Sequence, residues 1–229
     1  MFYHFLTEAL YFPPIEQADE EGILALGGDL SLPRLLLAYR SGIFPWYSSG
    51  EPIIWWAPDP RFVLYPHRLR ISKSMRPYLN GKHYQVSLDQ DFAAVISACR
   101  QTPRPGQSGT WITDEMQKAY IELHEAGYAH SVEVWQGAQL MGGLYGVSLG
   151  ACFFGESMFS WASNASKTGF IKLVQLLSHK GFTLIDCQVY TQHLESLGGQ
   201  NVAREKFMED LSQALAPPTW QGSWAEALQ

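Results

Sequence analysis

Residues 141–160, MGGLYGVSLGACFFGESMFS, read together with residues 183–189, TLIDCQV, decide how this chain is organised. The first stretch predicts a two-stranded hairpin turning at Leu149-Gly150, because apolar residues run up to a glycine and resume directly after it. Strand side chains alternate between faces, so Cys152, Phe154, Glu156 and Met158 are expected on one side and Phe153, Gly155, Ser157 and Phe159 on the other. Glu156 is then a lone acid on an apolar face. In the second stretch Asp186 and Gln188 share a face, with Ile185, Cys187 and Val189 opposite. Carboxylates and amides inside apolar strands are costly to bury unless they are paired or used. Either the three form a satisfied internal network or face water, or they line a working cleft.

The segment between the stretches weighs on that choice. Ser163 or Asn164 can cap a helix there, Phe170, Leu173, Val174 and Leu177 repeat at helical spacing, and Gly181 ends it. Strand, helix and strand in about 30 residues make a crossover unit, which sets two parallel strands side by side and opens a crevice at their carboxyl ends.

The rest of the chain bounds what that crevice can serve. With 229 residues, 46% of them hydrophobic and 17% charged, the chain can bury a sizeable core and is not disordered. A net charge of −6 confines any nucleic-acid contact to a local basic patch. Such a patch is present: no acid stands between Asp59 and Asp89, while Arg61, Arg68, Arg70, Lys73, Arg76 and Lys82 are all basic. A solvated face and a phosphate-backbone footprint both fit this run, and the segregation of sign in an acidic protein favours the footprint. The change of composition predicts a boundary near residue 62, dividing the chain into 1–62 and 63–229. Residues 43–61, dense in Trp, Tyr and Pro, form either a domain interface or a stacking platform for bases.

Further elements follow from local signals. Ser31 and Pro33 open a short helix that Gly42 closes, and Tyr84 to Leu88 reads as a strand. Thr113 caps a helix whose buried stripe is Met116, Tyr120 and Leu123, and residues 204–215 form the last helix. Residues 1–22 read as an irregular lead-in, and Gly27-Gly28-Asp29 as a turn. Cys99, Cys152 and Cys187 are too far apart for a disulfide framework or a metal site, and no signal peptide or membrane span is visible, so a cytoplasmic protein without metal or cofactor is expected. Several reactive signatures fail on spacing: His124-Glu125 has Tyr128 where a zinc protease needs its second His, Lys167-Thr168 lacks the glycines of a phosphate loop, and Gly155-Glu156-Ser157 lacks the second glycine of a nucleophile elbow. Cys187 points away from Asp186 by alternation and reads as core.

Taken together, Leu24 to Ser31, Gly42-Ile43-Phe44-Pro45-Trp46, Trp55-Trp56-Ala57-Pro58-Asp59-Pro60-Arg61, Gly109 to Thr113, His130 to Trp135, Gly155 to Ser160, Asn164 to Lys167 and Leu184 to Gln188 stand in the order and spacing of the leucyl/phenylalanyl-tRNA–protein transferases. The resemblance covers about residues 10–200, and the joint pattern is far more specific than any single motif. It departs at Trp161, where the family pattern has Arg, which bears on one phosphate contact and not on the chemistry.

The resemblance implies an α+β fold, with a small N-terminal domain and a larger GNAT-like mixed-sheet domain. It implies transfer of Leu, Phe or, less well, Met from aminoacyl-tRNA to the N-terminal Arg or Lys of a protein. The roles it suggests here are Gln188 accepting a hydrogen bond from the attacking amine, with Asp186 orienting it and attracting the acceptor's charge. Phe153, Gly155, Met158 and Ile185 would shape the aminoacyl pocket, with Glu156, Ser157 and Ser160 at its polar edge. Trp46 and Trp111 would hold the terminal adenosine, and Arg61, Arg68, Arg70, Lys73, Arg76 and Lys82 the tRNA. Two rival readings are weighed against it. A CoA-dependent N-acetyltransferase needs a pyrophosphate turn, and the nearest match, Gln139 to Leu144, lies in a strand. A non-catalytic tRNA-binding module would leave Asp186 and Gln188 without a task.

Overall fold

The computed structural model describes residues 3–80, 82–102 and 112–228. A small sheet comes first: β1 (His4–Leu6), β2 (Ile23–Gly27), α1 (Leu32–Arg40), β3 (Phe44–Pro45) and β4 (Ile54–Trp56), with strand order β1-β2-β4-β3. The lead-in therefore contains a strand, β1, which runs parallel to β2 and was not expected. Three residues are too few for alternation to be read. The indole N–H of buried Trp55 donates to the carbonyl of Gly27 at 2.9 Å and ties β4 to the glycine turn.

The larger, mixed sheet is built from β5 (Arg61–Leu64), β6 (Gln85–Leu88), β7 (Ala129–Gln136), β8 (Gln139–Leu149), β9 (Cys152–Ser160), β10 (Leu184–Gln188) and β11 (Gln200–Val202), in the order β11-β5-β10-β9-β8-β7-β6. All of β5 belongs to this sheet, so the strand that carries residue 62 pairs with β10 and β11 and not with the small sheet. Its helices are α2 (Arg76–Leu79), α3 (Phe92–Gln101), α4 (Asp114–Glu125), α5 (Ala165–His179), α6 (Gln192–Ser196) and α7 (Arg204–Leu215). The fold is thus α+β, a small N-terminal sheet region followed by a larger mixed sheet.

The hairpin forms where expected, with β8 ending at Leu149 and β9 starting at Cys152. Gly150 holds φ +57, and a Cβ there would lie 2.4 Å from the carbonyl of Ala214, so the residue is fixed by backbone conformation and by the chain packed against it. The parallel pairing of β9 and β10 confirms the crossover through α5. Phe170, Leu173, Val174 and Leu177 of α5 are buried. Its start differs from expectation: Asn164 is left-handed and makes no side-chain cap, and Ser160 Oγ instead accepts from the N–H of Ser166 at 3.2 Å. On α4 the expected cap does form, Thr113 Oγ1 accepting from Met116 N at 3.2 Å, a contact worth about 1 kcal/mol. Two apolar clusters occupy opposite sides of the sheet, one containing Tyr39, Tyr120, Cys152, Phe154 and Phe159, the other Phe153, Ile185, Phe170 and Leu173.

Candidate active site

The site lies where β9 and β10 part. Their pairing runs from Leu184–Cys152 to Asp186–Phe154 and stops, while β9 continues to Ser160 beside β8. Both strands carry a bulge at this level. On β9 Gly155 pairs with Gly146 and Ser157 with Tyr145, leaving Glu156 as the extra residue; on β10 Asp186 pairs with Val63 and Gln188 with Phe62, leaving Cys187 as the extra one. Bulges re-aim side chains and end pairing, which is what they do here. Gly146 accommodates the first, since a Cβ would sit 2.2 Å from the carbonyl of Phe154. Gln188 is left-handed, φ +65, a conformation uncommon for a residue with a side chain.

The bulge corrects the expected alternation. Met158 does not share a face with Cys152 and Phe154; it packs with the cluster of Phe153 and Ile185. Phe153 and Ile185 are fully buried, whereas Gly155 and Met158 are half-buried.

Glu156 is the centre of the polar group. Its Oε1 accepts from Tyr39 Oη and from Gln188 Nε2, both at 2.8 Å, and its Oε2 accepts from Tyr120 Oη at 2.8 Å. The two tyrosine hydroxyls also touch each other. Both phenols are completely buried, and burial, followed by the nearby Glu156 carboxylate, holds their ionisation well above the ordinary range. Glu156 itself keeps some exposed surface, but the protein packed around its carboxyl desolvates it and pushes it up to about 7, against the pull of its three donors and with the Asp186 charge adding to the rise. A carboxyl that titrates higher folded than unfolded contributes its full stability below the unfolded value and loses it as pH rises through about 7.

Asp186 is placed differently from the sequence expectation. Its side chain is fully buried in a two-pronged ion pair, Arg61 Nε to Oδ1 at 2.9 Å and Nη2 to Oδ2 at 2.7 Å. The guanidinium lies 4.7 Å from the ring centroids of both Phe44 and Phe207. Both Asp186 carboxylate oxygens are therefore engaged inside the protein. Asp186 orients Gln188 through the backbone, Oδ1 accepting from Gln188 N at 2.9 Å, while the Gln188 amide is oriented by Glu156. Arg61, for its part, is not on the surface and drops out of the basic patch; its charge is neutralised inside the protein.

Arg68, Arg70, Lys73, Arg76 and Lys82 are exposed. Among the described residues no carboxylate lies within ion-pair distance of them. Trp46 is half-buried against Trp56, ring centroids 5.6 Å apart, and Trp111 falls outside the described residues. Ser157 is buried and Ser160 exposed. Ser160 borders a cavity of about 500 Å³ beside Trp161, Asn164, Lys167 and His193, at the carboxyl end of β9.

The run His130 to Trp135 serves the fold. His130 Nδ1 lies 2.9 Å from Asp89 Oδ2 and its ring stacks on Trp224, while Glu133 accepts from Ser87 Oγ at 2.6 Å and from Ser131 Oγ. Tyr39 was missed by sequence reasoning and Tyr120 was read only as core. A tyrosine on a buried helical stripe still needs a partner for its hydroxyl, and that was the signal available.

Comparison with known proteins identifies the family. A family model described as leucyl/phenylalanyl-tRNA protein transferase matches residues 63–212, and one described as its N-terminal domain matches residues 28–59. The leucyl/phenylalanyl-tRNA–protein transferase of Syntrophus aciditrophicus is 60% identical over 96% of this chain and 92% of its own length. That of Flavobacterium johnsoniae is 58% identical over 91% and 98%, and that of Myxococcus xanthus 54% identical over 94% and 92%. The solved structure of L-PGS from Bacillus licheniformis aligns with 88% of this chain and 65% of its own at 10% identity, with a TM-score of 0.40, too low to carry a fold assignment. The chain belongs to the leucyl/phenylalanyl-tRNA protein transferase family and is an aminoacyltransferase, its donor an aminoacyl-tRNA and its acceptor a protein.

Proposed function

We propose that the chain moves leucine, phenylalanine and, less well, methionine from aminoacyl-tRNA onto the N-terminal Arg or Lys of a protein and so marks that protein for N-end-rule degradation. The observation that carries the residue roles is the Glu156–Gln188 pair, two polar side chains brought together by adjacent bulges where two parallel strands separate. The aminoacyl ester is already activated, so the enzyme need only position an amine against its carbonyl and stabilise the charge that develops. An α-amine has a reference pKa of about 7.7–8.0, so a useful neutral fraction exists without a strong base. With Nε2 donating to Glu156, the Gln188 amide oxygen is free to accept from the attacking N–H. Asp186 and Arg61 keep that strand end in place. Gly155 and Met158, backed by Phe153 and Ile185, are proposed to receive the donor's side chain, and Trp46 and Trp111 its adenosine.

The parting of a parallel strand pair also supports a GNAT-like reading of the larger sheet, with the join between the two proposed domains before β5. A cytoplasmic setting fits the three free cysteines. The direct test incubates the protein with radiolabelled Leu-tRNA and an Arg-initiated peptide, with acetyl-CoA as the competing donor. Label is expected on the peptide; acetylation without label would overturn the reading.

Arg68, Arg70, Lys73, Arg76 and Lys82 are proposed to hold the tRNA backbone. Replacing Arg70, Lys73 and Arg76 together by Ala is expected to weaken binding and to lower the slope of log affinity against log salt by about 2, at roughly 0.7 per phosphate contact. Stability should change little, since exposed substitutions cost within about 0.5 kcal/mol each. An unchanged slope would move the RNA footprint elsewhere.

A further inference from the structure

The oxygens around Glu156 close a ring. Tyr39 Oη meets Glu156 Oε1, Tyr120 Oη meets Glu156 Oε2, and the two hydroxyls meet each other, giving three oxygen–oxygen contacts. Each phenol supplies one hydrogen. If Glu156 is ionised, two hydrogens must serve three contacts, and one pair of oxygens faces lone pair to lone pair. If Glu156 carries a proton on Oε2, three hydrogens serve three contacts: the acid donates to Tyr120, reversing that bond, Tyr120 donates to Tyr39, and Tyr39 donates to Oε1, which still accepts from Gln188 Nε2. Water cannot relieve the deficit at the phenols, because Tyr39 and Tyr120 have no exposed surface.

The neighbouring charges do not favour the carboxylate either. α1 presents Tyr39, α4 Tyr120, β8 Tyr145 and β10 Asp186, and the cation of β5, Arg61, is already paired with Asp186. Among the described residues no Lys or Arg is ion-paired with Glu156.

We propose that Glu156 is protonated in the folded protein near neutral pH and completes a three-proton ring with Tyr39 and Tyr120, and that this ring, not a carboxylate charge, holds the Gln188 amide with its oxygen towards the cleft. The elevated titration of Glu156 agrees with the hydrogen count. Tyr39 and Tyr120 are then positioning residues acting through Glu156, one from the N-terminal region and one from α4. With Glu156 neutral and Asp186 offset by Arg61, no uncompensated anion stands beside Gln188 to hold the acceptor amine as an ammonium ion. This last consequence rests on the proposed transfer reaction; the protonation itself does not.

Infrared spectra of the full chain at about pH 6, where a carboxyl of ordinary pKa near 4.3 is ionised, separate the two. A protonated-carboxyl carbonyl band is expected in the unmodified protein, absent in Glu156→Gln and shifted in Tyr39→Phe and Tyr120→Phe. Should Glu156→Gln fail to fold, the phenylalanine variants carry the assignment, because Glu156 is the carboxyl touching both hydroxyls. In the transfer assay Glu156→Gln, neutral and able to donate and accept, is expected to turn over at least about tenfold faster than Glu156→Ala, each ring hydrogen bond being worth on the order of tenfold. No such band, or a glutamine variant no better than alanine, overturns the proposal. An inactive unmodified protein with the band present would sink the transfer reading and leave the ring standing.

Discussion

Arg61→Ala is expected to cost about 3–5 kcal/mol of folding stability, the range for removing one partner of a buried ion pair. The loss has a local cause. Asp186 has no exposed surface and takes two hydrogen bonds from the guanidinium, so truncating Arg61 leaves a charged carboxylate with no countercharge and a void between Phe44 and Phe207. At about 2–4 °C per kcal/mol for a chain of this size, the melting temperature should fall by about 6–20 °C. The double variant Arg61→Met with Asp186→Leu is expected to recover most of that loss, because apolar replacement of a whole buried pair is often neutral or better. Recovered stability would come without recovered turnover, since Gln188 N would lose the Asp186 Oδ1 that fixes it. A single Arg61→Ala variant within about 1 kcal/mol of the parent in urea unfolding would mean the pair is wet, and the role given to Asp186 would go with it.

Most of the framework was legible because it is written in short-range signals. The crossover of β9, α5 and β10 followed from a glycine turn, a helical repeat and a closing glycine, and α4 from a Thr cap. The edges were not: β1 and β11 each have three residues, too short to show a period. In the site, Glu156 and Gln188 announced themselves as polar groups in apolar strands. What they face did not, because it depends on two bulges set by cross-strand register, and inserting one residue reverses every later face. Met158 shows the effect directly. Long-range convergence was hidden too. Arg61 reads as the first of a basic run, yet it pairs with a carboxylate 125 positions away, and Tyr39 reaches Glu156 across 117. Nothing local distinguishes a buried arginine from its exposed neighbours.

Gln188→Ala carries the second large effect, on turnover and not on the fold. If the amide oxygen accepts from the attacking amine only as the new bond forms, its removal should lower kcat by about 10²–10³, the range for losing one preorganised hydrogen-bonding group at a reacting centre. The KM for aminoacyl-tRNA should change little, because an interaction made only in the transition state leaves ground-state binding alone. Stability should fall by only about 1 kcal/mol, since one hydrogen bond to Glu156 is lost while the left-handed strain at this position comes from the Cβ and is the same for glutamine and alanine. That lost donor also favours the neutral acid, so the Glu156 titration should move further up from about 7 and the pH profile with it. Gln188→Glu divides the explanations. A glutamate keeps an acceptor but not the N–H that Glu156 receives, so it tests whether acceptance alone suffices or whether the amide must also be held by Glu156. Near-parental turnover in Gln188→Ala, measured in single-turnover transfer so that product release does not mask chemistry, would remove Gln188 from the reaction and leave positioning by the cleft as the source of rate.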